Sequence, residues 1–109
     1  MGWLVADDHV LATADFAESW RERLRGLIGR DELDGVLVIQ PAKGVHTFGV
    51  QFPIDVAFCD ANLRVLRIVT MRQNRLGRPS LRGCIVIEAP KGSFERWGVC
   101  VGDELELRR

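Results

Sequence analysis

Short apolar runs, each cut off by turn-forming residues, dominate this sequence and restrict what it can fold into. Gly2 to Ala6 is apolar, Asp7-Asp8 interrupts it, and His9 to Thr13 resumes it, which predicts two strands around a tight turn. Val36 to Gln40 is a run ended by Pro41, and Val45 to Val50 is a mixed segment that holds His46. Ile54 to Cys59 alternates, with Ile54, Val56 and Phe58 on one face and Asp55, Ala57 and Cys59 on the other. Asp60-Ala61-Asn62 has the side chains of an Asx turn, and Leu63 to Met71 follows as a partner strand, so residues 54–71 read as a hairpin. Residues 72–83 form a polar loop, Cys84 to Glu88 another strand, and Val99 to Leu107 a closing strand with Gly102-Asp103 as a turn.

Only one stretch has a helical period. Phe16, Trp20, Leu24, Leu27 and Ile28 fall on one stripe, Asp15 is placed to cap the N-terminus with Glu18 three residues on, and Gly29 stops the helix. This predicts a helix over 15–28 with Trp20 in the core. Pro90 to Trp97 predicts one short helical turn, with Trp97 packing it. Six to eight short strands without βαβ repeats exclude a doubly wound parallel sheet. The expected fold is α+β but mainly β: a small, mostly antiparallel, barrel-like sheet with one packed helix in the N-terminal half. At 109 residues, one domain spanning 1–109 is expected.

The formal charge is zero, from 15 Lys plus Arg and 15 Asp plus Glu. Residues 1–60 carry net −5, residues 61–82 carry net +6 with no acid, and residues 83–109 carry −1. A wholly basic nucleic-acid domain is excluded; a local anion site is not. Arg72, Arg75, Arg78 and Arg82 concentrate the positive charge in one loop, where planar guanidinium groups suit phosphate, a polyanionic sugar or nucleic acid; the alternative is a solvated loop paired with the acidic N-terminal half. That loop lacks aromatics to stack bases, so there is no strong nucleic-acid signal. Cys59, Cys84 and Cys100 are odd in number, form no CxxC and sit in apolar stretches, so buried thiols are expected. No His or Cys spacing supports a metal, and no cofactor is expected. The N-terminus has no basic region followed by an apolar run, and no apolar stretch reaches the length of a span, so the expected location is cytoplasmic. A mature chain trimmed of a signal peptide would read the same.

The densest chemistry is His46, Thr47, Asp55 and Asp60 within fifteen residues, with Glu88 at a strand end as a further member. Three readings compete. His46 and Asp55 serve as hydrogen-bond partners for backbone in a tight turn. Alternatively His46, Thr47, Asp55 and Glu88 line a pocket at a barrel mouth. In the third, His46 is a general base oriented by Asp55, in a hydrolase or isomerase. The leading expectation is a non-catalytic domain that binds a small or polymeric anionic ligand, such as a polysaccharide, through His46, Thr47, Asp55, Glu88 and the arginines. The alternatives are the enzyme and a protein-interaction module without ligand.

HTFGVQFPIDVAFCD at 46–60 resembles the signature of a family of small prokaryotic proteins called domain of unknown function 192. WRERLRGLIGRDEL at 20–33 resembles the family's helix segment, Asp60 to Val65 its aspartate-containing turn, and CIVIEAPKGSFERWGVCVGDEL its ending. Together these cover about residues 13–107. The resemblance implies a compact domain rich in β-structure and implies no activity. Val50 stands where the family commonly has Met, Cys84 stands near a position usually small and apolar, and the 72–82 loop is unusually rich in Arg.

Overall fold

The computed structural model describes residues 1–42 and 44–109. Seven strands form one sheet: β1 (Gly2–Ala6), β2 (His9–Ala17), β3 (Val36–Ile39), β4 (Ile54–Cys59), β5 (Val65–Met71), β6 (Ile85–Pro90) and β7 (Glu106–Arg108). Helix α1 (Trp20–Arg25) lies between β2 and β3, and α2 (Ser93–Trp97) between β6 and β7. The sheet order is β5-β4-β6-β3-β2-β1-β7. Every adjacent pair is antiparallel except β2 with β3.

The turns follow from local chemistry. Asp7 and Asp8 both take positive φ, as the tight turn between β1 and β2 requires, although neither is Gly. At the β4–β5 turn, Asp60 Oδ1 accepts the backbone N–H groups of Asn62 and Arg64 at 2.9 and 3.0 Å. At Gly35, φ is +79°, and a Cβ there would stand 2.3 Å from Thr13 Oγ1, so the chain can enter β3 only through glycine.

The expected barrel-like curl is present, but the sheet does not close. Its two edges meet at one end only. There Arg64 bridges Glu104, Val65 donates its N–H to the Asp103 carbonyl at 2.8 Å, and Leu105 donates to Leu63 at 3.0 Å. The central strands β3, β4 and β6 are covered on both faces, so each reads as an apolar run. One cluster contains Val36, Val38, Ala57, Cys59, Ile87 and Ala89, with Phe94 of α2 against it. The other contains Leu37, Ile39, Val56, Phe58 and Val86, covered by Leu27 and Val50.

The helix differs from its expected extent. Residues 14–17 continue β2 and pair with β3 from Ala14↔Val36 to Ala17↔Ile39. That ladder outweighs the helical period, so Asp15 is not the cap. Ser19 is: its hydroxyl accepts the Glu22 N–H, and the Glu22 carboxylate accepts the Ser19 N–H. Trp20 is 67% exposed, contrary to the core position expected of it, and Leu24 is exposed as well. The helix ends at Gly26 (φ +49°), and the reversal there carries Leu27 into the core. Trp97 packs edge-on against Phe94, as expected. Of the cysteines only Cys59 is buried; Cys84 is half-buried and Cys100 is exposed. Burial pushes the Cys59 thiol up to about 12, so it is an inert core group.

Candidate functional site

Strand parity sorts the site residues. In the pairing of β4 with β6, Val56 stands opposite Glu88 and Asp55 opposite Ala89. Side chains of successive strand residues point to opposite faces. Glu88 therefore shares a face with Val56 and Leu37, and Asp55 points through the other side. The register thus sets Asp55 on the opposite face of the sheet from Glu88.

On its own face, Asp55 does structural work. Oδ1 accepts the Thr70 hydroxyl at 2.6 Å, and Oδ2 accepts the N–H of Gly92, the cap of α2, at 2.8 Å. This is the backbone-partner reading that the sequence offered for Asp55. Without Asp55 to orient it, the His46 base of the enzyme alternative loses its carboxylate.

Thr47 is fully buried and clamps two loops together. Its hydroxyl donates to the Arg72 carbonyl and accepts the Arg75 N–H at 2.8 Å. Around it, Thr47 donates its N–H to the Arg75 carbonyl, Asn74 donates to the Thr47 carbonyl, and Gly77 donates to Val45. The mixed 45–50 segment is thus not a sheet strand but a loop zipped to residues 72–77, with His46 bridged to Leu76. Thr47 holds the pocket wall from behind and does not face into the pocket.

Glu88 and His46 do meet a common cavity, of about 390 Å³. Leu24, Leu27, Ile39, Val45, Val50 and Leu76 supply its apolar wall, and Arg23 and Arg25 lie at its edge. Glu88 is 2% exposed, and its Oε1 has no hydrogen-bond partner among the described residues. His46 Nδ1 is likewise buried and unpartnered, and the His46 ring stacks on Phe48 at 5.6 Å. Burial raises the Glu88 carboxyl to about 7, and the opposing pull of the Arg30 guanidinium does not offset it. A buried carboxyl without a partner among the described residues is costly for folding. Gly26 brings the end of α1 close: a Cβ there would stand 3.7 Å from Glu88 Oε1.

A larger concavity of about 580 Å³ adjoins this one through Arg25 and Gly26. Its charged groups already pair with one another, Arg30 with Asp15 and Arg109 with Glu18, so it presents fewer unsatisfied groups to a ligand. Arg72, Arg75, Arg78 and Arg82 are all exposed, and none lines the Glu88 cavity. The sequence reading missed the end of α1 as a pocket wall, because Leu24 and Leu27 look like any apolar stripe. It had a usable signal at Glu88, where a carboxylate interrupts the run Ile85-Val86-Ile87.

Comparison with known proteins agrees with this fold. The model of the family DUF192, described as an uncharacterized ACR, matches residues 4–107. The UPF0127 protein PH1112 of Pyrococcus horikoshii is 30% identical over 95 residues, 83% of each chain. Among solved structures, a protein of unknown function from Novosphingobium aromaticivorans aligns with a TM-score of 0.83 at 22% identity, over 96% of this chain and 83% of that one. A Sinorhizobium meliloti protein, described as a candidate transcription regulator, aligns with a TM-score of 0.73 at 22% identity, over 97% and 91%. At that identity the two structures bear on the fold alone.

Proposed function

The chain belongs to the DUF192 family, and we propose that it is a small-molecule-binding domain whose ligand enters the Glu88 cavity. The observation that carries this reading is the buried Glu88 carboxyl, with no partner among the described residues, at a mostly apolar cavity. A ligand with an apolar body and a hydrogen-bond donor at one end satisfies both features. The body covers Leu27, Ile39 and Val50, and the donor meets Glu88 Oε1. His46 Nδ1 supplies a second polar contact. The volume of about 390 Å³ suits a molecule of one or two rings.

The anionic ligand expected from the sequence fits this cavity poorly. Above about pH 7 the Glu88 carboxylate repels an anion, and the loop arginines lie outside the cavity. Arg23 and Arg25 at the edge favour an anion, so the preference has to be measured. Nuclear magnetic resonance titration at pH 8 with benzylamine, benzyl alcohol and benzoate separates the cases. Benzylamine and benzyl alcohol are expected to shift the amides of Gly26, His46 and Gly77, and Glu88→Gln to weaken benzylamine about tenfold. Benzoate binding more tightly than both would restore the anionic reading. No shift with any of the three would remove the pocket as a ligand site.

A further inference from the structure

The arginine loop has a second feature, absent from the charge count: its large apolar residues are exposed too. Leu76 is 76% exposed and Leu81 87%, and both stand among Arg72, Arg75, Arg78 and Arg82. No ion pair engages any of these four arginines among the described residues. The two remaining bases of residues 61–82 are engaged: Arg64 pairs with Glu104, and Arg67 lies over the Phe58 ring and donates to the Arg78 carbonyl. The loop is also held in place. The Thr47 clamp fixes residues 72–77, and beside it Phe48, 50% exposed, adds a third apolar side chain. Single exposed apolar residues are ordinary on a protein surface. Three of them on two interlocked loops, among unpaired guanidinium groups and with no acid from residue 61 to 82, are not.

We infer that the interlocked 45–50 and 72–82 loops dock this protein on an anionic lipid surface. Guanidinium groups contact the phosphates of the headgroups, and Leu76, Leu81 and Phe48 enter the boundary between headgroups and acyl chains. Charge complementarity and the leucines together select this partner. A polynucleotide satisfies the arginines and finds Phe48 as an exposed aromatic, but it leaves Leu76 and Leu81 against water. The neutral total charge keeps the attraction local, so the rest of the surface adds little. Leu76 also borders the Glu88 cavity, but the inference requires no ligand there.

Flotation of the full chain with phosphatidylglycerol-containing vesicles and with pure phosphatidylcholine vesicles tests it. Binding is expected only to the anionic vesicles and is expected to weaken with added salt. Each of Arg75→Gln, Arg78→Gln and Arg82→Gln is expected to lower affinity about fivefold. The leucine variant Leu81→Ser, altered at an exposed position outside the cavity and checked by circular dichroism, is expected to lose about fivefold. Failure to bind the anionic vesicles overturns the proposal. So does unchanged binding by the leucine variant, which would reduce the effect to bare charge attraction. Binding of a single-stranded oligonucleotide as tightly as the vesicles, indifferent to the leucines, would assign the loop to a polyanion instead.

Discussion

Glu88→Gln is expected to free the protein of a stability loss of about 3 kcal/mol that the native chain suffers as pH rises from 4.5 to 8. The sign follows from the raised carboxyl. Glu88 ionises near 4.5 when the chain is unfolded and at about 7 when it is folded. Between those values the folded state holds a proton that the unfolded state has released. Stability from this group is therefore present in full below about 4.5, declines across the interval, and is gone above about 7. The glutamine variant has no such proton. Urea unfolding of both proteins at pH 4.5 and pH 8 reads the difference directly. Curves that stay parallel would mean that Glu88 is solvated or paired in solution.

Asp55→Ala is expected to act in the opposite way: a large loss of stability with no loss of binding. The variant removes the acceptor for the Gly92 N–H and for the Thr70 hydroxyl, two part-buried hydrogen bonds. Hydrogen bonds to a charged group contribute about 1.5–3 kcal/mol each, so a loss of about 3 kcal/mol is expected. Because Asp55 faces away from Glu88, benzylamine affinity measured on the folded fraction is expected to stay within about twofold of the native value. A variant of native stability that no longer binds would place Asp55 in the ligand site after all. The two carboxylates thus separate: Asp55 accepts from the cap of α2, and Glu88 lies buried at the cavity on the opposite face of the sheet.

Local turn chemistry was readable from the sequence because it depends on few residues. Asp60 with Asn62 and the break at Asp7-Asp8 announce their turns directly, and the apolar runs between them announce strands. The helix was overestimated for a physical reason. Phe16 and its neighbours satisfy a helical period, but β3 offers residues 14–17 a continuous ladder, joined at Ala14 by β1, which one sequence cannot reveal. The relative facing of Asp55 and Glu88 was hidden at the same level. Alternation shows that Asp55 and Val56 face apart, yet only the register with β6 shows which of them shares a face with Glu88. Thr47 was recognised as a site residue, but its partners lie 25 and 28 residues away, beyond the reach of any local pattern. The cavity depends on Gly26 reversing the chain at the end of α1, and nothing in the periodicity of 20–28 specifies that reversal.

The central proposal is that Glu88, a buried carboxyl with no partner among the described residues, receives a ligand. Carbon-13 detection of the Glu88 carboxyl during a pH titration, with and without saturating benzylamine, tests it at the atom concerned. The free protein is expected to titrate at about 7. The benzylamine complex is expected to titrate lower, because an ammonium group beside the carboxylate stabilises its charged form. A midpoint at the ordinary glutamate value in both states, unmoved by the amine, would contradict the account.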